Sequence, residues 1–192
     1  MNKYLYLSEE WHCEAWVNGG VIPIKLASTY LSNKRSGIFT PDETLIHRSE
    51  FPVPRMKEFG MYFQNVKGIT VKGCTYNGKK IPNITNAQYY NEDGLILSFC
   101  NIFSPDIARR LGKVACVEIL DINKLQDIIN KELGCKAFAG NCKYTKNHER
   151  NHFLKSTQDE WQQEYRLFWN ITSNKEVSLP QGLARIIPFT EK

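Results

Sequence analysis

The sequence predicts a single α+β domain over residues 1–192, a mixed and largely antiparallel sheet with three or so helices. Short apolar or alternating runs bounded by turn residues recur from end to end, too closely spaced for regular βαβ units. Three segments carry the start and stop residues of a helix. A chain of 192 residues with 42% apolar and 12% aromatic side chains is long enough to bury a proper core.

Each element follows from local chemistry. Residues 3–7 alternate tyrosine and leucine as a first strand, and Ser8 with Glu9 and Glu10 then starts a helix that Gly19 and Gly20 stop. Residues 21–26 form a second strand in which Pro23, lacking an N–H, indicates an edge or a strand end. Residues 29–35 read as one helical turn, and residues 36–55, with Pro41, Pro52 and Pro54, as a long surface excursion. Residues 69–75 and 79–81 make a hairpin about Tyr76-Asn77-Gly78, a type I′ turn signature. Residues 87–90 and 95–100 are strands on either side of the turn Asn91-Glu92-Asp93-Gly94. Ser104 caps a short helix with Pro105 in its first position and Gly112 at its end. Residues 114–120 are the most continuous apolar strand. Asp121 then caps a helix over 122–133 whose Leu125, Ile128, Ile129 and Leu133 share one face before Gly134. Strands at 136–144, 164–171 and 184–189 complete the sheet.

Composition narrows the function classes. Twenty-five basic against 20 acidic residues give +5 and a pI near 8.8, a modest bias toward an anionic partner such as a nucleotide or nucleic acid. The six cysteines are irregularly spaced and no leading signal segment precedes them, which points to reduced thiols and a cytoplasmic location. Cys100 and Cys116 lie in apolar runs, where a thiol acts as a small hydrophobe. No run approaches the ~20 apolar residues of a spanning helix, so no membrane is expected. There is no Gly-rich phosphate loop followed by lysine, and no G-x-S-x-G nucleophile turn.

The most informative stretch runs from Phe153 through Lys155, Asp159, Glu160 and Gln162 into Glu164-Tyr165-Arg166-Leu167-Phe168-Trp169. Alternation puts Glu164, Arg166 and Phe168 on one side of a strand and Tyr165, Leu167 and Trp169 on the other. With the second set committed to core, Glu164 and Arg166 are either a cross-strand ion pair on an exposed face or part of a site that also holds Gln162.

Gln162-Gln163-Glu164 at the mouth of a strand resembles the Q/E-x-E signature of the ADP-ribosyltransferase superfamily. Phe153, Lys155 and Glu164-Tyr165-Arg166 also resemble an uncharacterised bacterial domain family ending in a lysine, tryptophan, E-x-E-Tyr-Arg pattern and thought to share that fold. Lys3-Tyr4-Leu5-Tyr6 is similar to the family's opening strand, Gly20-Val21-Ile22 to its next, and Leu95-Ile96-Leu97-Ser98-Phe99-Cys100 to its central serine-bearing strand. The resemblance implies a sheet of ADP-ribosyltransferase type and NAD as substrate. It implies Glu164 as the catalytic carboxylate, Gln162 as the residue orienting the acceptor, and Ser98 as support for that carboxylate or the nicotinamide ribose. Tyr4, Tyr6 or Tyr90 would stack on nicotinamide, and Arg48 would reach the pyrophosphate. Three departures stand out: the chain has no arginine on the opening strand, Ser98 has no Ser-Thr-Ser neighbours, and the early histidine, His12, falls on the first helix.

Cys135, Cys142, His148 and His152 form a C-x6-C-x5-H-x3-H run of zinc-competent residues, but its intervals are unusual for a tetrahedral site and no metal is expected. The sequence is thus read as an intracellular ADP-ribosyltransferase, a toxin or phage-defence effector. Lys34-Arg35, Lys79-Lys80 and Arg109-Arg110 would hold an RNA or DNA acceptor, and a neutralising antitoxin protein would accompany it. The alternatives are a non-catalytic module binding single-stranded nucleic acid and an NAD glycohydrolase with water as acceptor.

Overall fold

The computed structural model describes residues 2–189. In chain order the elements are β1 (Lys3–Leu7), α1 (Cys13–Val17), β2 (Gly20–Leu26), β3 (Leu45–Arg48), β4 (Val66–Val71), β5 (Thr75–Tyr76), β6 (Lys79–Lys80), β7 (Ile84–Asn91) and β8 (Leu95–Cys100). They continue with α2 (Pro105–Leu111), β9 (Ala115–Ile119), α3 (Ile122–Leu133), β10 (Phe138–Asn141), β11 (Lys143–Thr145), β12 (Leu154–Ser156), β13 (Glu164–Trp169), β14 (Lys175–Leu179) and β15 (Ala184–Ile186). Short 3-10 segments lie at Glu10–His12, Ala27–Tyr30, Val53–Phe59 and Thr157–Gln162. The fold is α+β and mostly antiparallel. None of its helices is long and apolar enough to cross a membrane, among the described residues.

The principal sheet has eight strands, with β10-β13-β8-β1-β9-β15 in order and β2 joining β8 while carrying β14. Strand β13 pairs with β8 along its whole length, Glu164 opposite Cys100 and Trp169 opposite Leu95. The other edge of β8 is divided. Strand β1 meets it at Cys100 through Tyr4, and β2 meets it at Leu95 and Ile96 through Leu26 and Lys25. Between these two contacts, at Leu97, Ser98 and Phe99, no strand among the described residues is in register on that side.

One face of the sheet packs on the helices. Leu5, Leu95, Phe99, Val117, Leu167, Trp169 and Val177 join Leu125 and Ile129 of α3 in the largest apolar cluster. Each such fully buried side chain contributes ~1.5–3 kcal/mol of transfer energy. Helix α3 starts and stops as the sequence predicts: the Asp121 carboxylate accepts from the N–H groups of Asn123 and Lys124, and Gly134 closes it at φ 62. Asn130 of the same helix accepts from the Trp169 indole at 2.9 Å, which fixes the far end of β13.

A three-stranded antiparallel sheet, β3-β7-β4, stands beside the principal one with its own core of Val53, Met56, Ile81, Ile84 and Ala87. The strands expected at 87–90 and 95–100 therefore belong to different sheets. Their connection is held by Gly94, where an added Cβ would come within 2.5 Å of both the Phe168 ring and the Trp169 carbonyl oxygen.

Several sequence expectations are corrected. The N-terminal helix is a 3-10 turn followed by the five residues of α1. The excursion at 36–55 contains β3, and the strand expected at 136–144 breaks at Cys142 into β10 and β11 of separate sheets. Strands β12 and β14 were not predicted. The hairpin expected from 69–75 and 79–81 shrinks to Thr75–Tyr76 against Lys79–Lys80, turning at Asn77 (φ 48) and Gly78 (φ 72), while residues 69–71 belong to β4 of the three-stranded sheet.

Candidate active site

Strand β13 buries both of its faces. Leu167 and Trp169 enter the helix-side core, and on the opposite face Phe168, Arg166 and Glu164 stand across from Ile96, Ser98 and Cys100 of β8. That opposite face is not solvated. Glu164 is 7% exposed and Arg166 3%, so an exposed cross-strand ion pair is excluded. Glu43, Lys155 and Gln162 lie over this face, all buried.

Backbone geometry aims the polar groups inward. Ser156 caps the 3-10 turn Thr157–Gln162 by accepting from the Gln158 N–H, and Gln163 takes a left-handed φ of 45 that reverses the chain into β13. Gln162 and Glu164 consequently line the same cleft. The Glu164 N–H donates to the Tyr144 hydroxyl at 2.9 Å, fixing the mouth of the strand.

Four charges form one buried array. Lys155 Nζ donates to Glu164 Oε2 at 2.7 Å and to Gln162 Oε1 at 2.8 Å. Arg166 Nε donates to Glu164 Oε1 at 3.1 Å, its Nη2 pairs with Glu43 Oε1 at 2.6 Å, and its Nη1 donates to the His152 carbonyl at 2.9 Å. Gln162 Nε2 donates to the Gly37 carbonyl at 3.1 Å. Burial alone would raise the Glu164 carboxyl, but Arg166 and Lys155, with Ser98 assisting, outweigh it and hold the group below the usual carboxylate range. Burial dominates at Glu43 and pushes its carboxyl up despite Arg166 and Lys155.

Beside this array is a cleft of about 150 Å³ over the divided edge of β8. Tyr4, Tyr6, Tyr30 and Ser98 line it together with the charged residues. Tyr6 is committed to structure: its hydroxyl accepts from the Ser104 N–H at 2.7 Å, and its ring is stacked near Phe103 and Phe189. A neighbouring hollow of about 360 Å³ is lined by Arg35, Arg110, Asp159 and Trp161, with the Arg110 guanidinium 3.8 Å from the centre of the Trp161 ring.

The structure thus brings together Glu164, Gln162, Ser98, Tyr4 and Tyr6. Arg48 is elsewhere: it is exposed at the end of β3, opposite Gln88, in the smaller sheet. Tyr90 is on β7, with the Lys67 ammonium 4.6 Å from its ring centre. Sequence reasoning missed Glu43 and Tyr30 altogether and gave Lys155 and Arg166 no task. The alternation of β13 was the available signal for Arg166, since a face that carries Glu164 inward carries Arg166 with it.

The four zinc-competent residues are dispersed among other partners. Cys135 packs beside the helix-side core, Cys142 lies 3.9 Å from Glu164 Oε2, His148 bonds the Ser49 carbonyl oxygen, and His152 stacks on Phe168 with its Nε2 3.2 Å from Glu92. Among the described residues no three His, Cys, Asp or Glu side chains are grouped to share an ion, and all six cysteines are free. Comparison with protein-family models, with curated proteins and with solved structures finds no match, so what this chain does has to be argued from the chemistry of the cleft.

Proposed function

We propose that the chain transfers ADP-ribose from NAD, with Glu164 as the catalytic carboxylate, on a sheet of ADP-ribosyltransferase type. The observation that carries this reading is a buried carboxylate, held ionised by Arg166 and Lys155, on the wall of a cleft. Breaking the bond between nicotinamide and ribose builds positive charge on the sugar, and a fixed anion beside it stabilises that charge more than the ground state. A carboxylate this acidic is suited to that electrostatic task and unsuited to exchanging protons near neutral pH. Glu164 Oε2 accepts from Lys155 and from the Cys142 thiol, while Oε1 accepts from Arg166 and keeps a second lone pair for a ribose hydroxyl. A space of about 150 Å³ is below the ~300 Å³ at which drug-sized ligand pockets begin, so the nicotinamide end of NAD enters and the adenosine end stays outside.

The neighbouring hollow supports a nucleic-acid acceptor. Trp161 and Arg110 offer an aromatic and cationic surface one residue away from Gln162, the proposed acceptor-orienting group. The same surface favours the second reading, a non-catalytic module that grips single-stranded nucleic acid. The biological setting we propose is a toxin or defence effector controlled by a neutralising protein.

One assay separates these readings. Labelled NAD is incubated with the protein and with RNA, DNA and protein fractions kept apart; transfer marks one fraction, whereas a glycohydrolase releases free ADP-ribose and a binder leaves NAD intact. Glu164→Gln should reduce nicotinamide release by ~10³-fold or more. Wild-type protein that leaves NAD unconsumed with every fraction, or a Glu164→Gln variant as active as wild type, removes the transferase reading.

A further inference from the structure

We infer that Glu43 is the general base of the reaction, because it shares the cleft with Glu164 and the two carboxylates are bonded to adjacent donors of one guanidinium, Glu164 to Arg166 Nε and Glu43 to Nη2. The inference rests on the transferase reading above and assigns its second carboxylate. Nε and Nη2 form a single edge of the planar fork, so one cation covers the repulsion between two acids placed side by side. Most glycoside hydrolases divide the work between two carboxyl groups, one beside the sugar and one that moves a proton, and Glu164 and Glu43 offer the same division here.

Their surroundings drive them apart in the required sense. Lys155 bonds directly to Glu164 and not to Glu43, and Arg166 serves both. Around Glu43 the charged and titratable groups are Arg166 and Glu164 of β13, Lys155 of β12, the adjoining Asp42, and Tyr30 from the 3-10 turn Ala27–Tyr30. Burial, ahead of these charges, raises the Glu43 carboxyl, whereas Glu164 is lowered. A pair split in this way marks the proton carrier and the permanent anion.

In the step itself, the acceptor's O–H proton passes to the Glu43 carboxylate while the oxygen's electron pair forms the new bond to the anomeric carbon. The bond from that carbon to the pyridinium nitrogen breaks, and its electron pair leaves neutral nicotinamide. Glu43 then releases the proton to water.

The test uses purified full chain and NAD, with water and methanol as acceptors and nicotinamide release as the readout. Glu43→Gln should bind NAD within about threefold of wild type, lose ~10²–10⁴ in turnover, and lose the rise of rate with pH that reflects the base. Formate should restore turnover to Glu43→Ala. A Glu43→Gln enzyme within tenfold of wild type with an unaltered pH profile overturns the assignment and leaves Glu164 standing if Glu164→Gln is inactive. Wild-type protein that consumes no NAD removes both. Independently of any variant, carbon-13 NMR of glutamate carboxyls in the wild-type protein should show one titrating above the ordinary range and absent from the Glu43→Gln spectrum; no such signal overturns the proposal.

Discussion

Arg166 illustrates how much one side chain decides. It is 3% exposed and bonds Glu164, Glu43 and the His152 carbonyl, so three acceptors depend on one planar donor set. Removing a partner from a buried ionic array strands the charges left behind, at a cost of ~3–5 kcal/mol. Arg166→Met should lower the unfolding free energy, measured by denaturant titration, by that much, and Arg166→Lys should recover only part, because an ammonium lacks the fork that spans two carboxylates. Glu164 and Gln162 were legible because a Q-x-E step at the mouth of an aromatic strand is distinctive. Glu43 was not, since Thr40-Pro41-Asp42-Glu43-Thr44 reads like any polar turn until the fold lays it across β13. Arg48 shows the converse: a guanidinium suits phosphate anywhere, and only the position of β3 reveals that this one faces solvent.

At the scale of elements, caps and turns were the most legible features because their chemistry is local. Ser104, Gly112, Asp121, Gly134 and the Asn77-Gly78 turn all do what their residue types require. Asp121→Ala should cost ~1 kcal/mol, measured as a loss in unfolding free energy. Gly94→Ala should cost more, because backbone and a packed ring both stand in the way, and its melting temperature should fall below that of Asp121→Ala. The strands that escaped are those whose pattern depends on distant partners. Strand β12 is three residues inside a charged run and pairs with the equally short β11, and the inward Val177 and Leu179 of β14 acquire meaning from β2 and α3. Which sheet β7 and β8 each join was equally hidden, since four polar residues between two strands look the same in a hairpin and in a crossing from one sheet to the next.

For the whole molecule, two buried histidines make stability depend on pH. Burial, with His148 and Arg150 adding to it, lowers His47 to about 4, and burial followed by Arg166 lowers His152 to about 4. Both rings are neutral in the folded protein, and the His152 Nδ1 is the one buried side-chain polar atom among the described residues without a hydrogen-bond partner. An unfolded histidine takes up its proton near pH 6.5, so between pH 6.5 and 4 the unfolded chain binds more protons and stability falls as pH falls. Each histidine should remove on the order of 2 kcal/mol between pH 7 and pH 5. Glu43 and Asp159, raised by burial, act in the opposite direction. Proton NMR of the rings separates the contributions: at pH 5 the His47 and His152 signals should keep their neutral positions, and protonated positions there would contradict the burial argument. His47 also ties the smaller sheet to the connection between β11 and β12, exchanging backbone hydrogen bonds with Arg150 at 2.9 Å, so acid should loosen the smaller sheet before the larger.

The interruption along β8 sets a size filter. A gap of three residues, flanked by β1 on one side and β2 on the other, is too short for a neighbouring polypeptide to zip onto, which spares the molecule the fibre-forming hazard of a free strand margin. A compact planar amide meets no such obstacle, and the main-chain groups of Ser98 are the ones it would find there, because those of Leu97 and Phe99 turn toward β13.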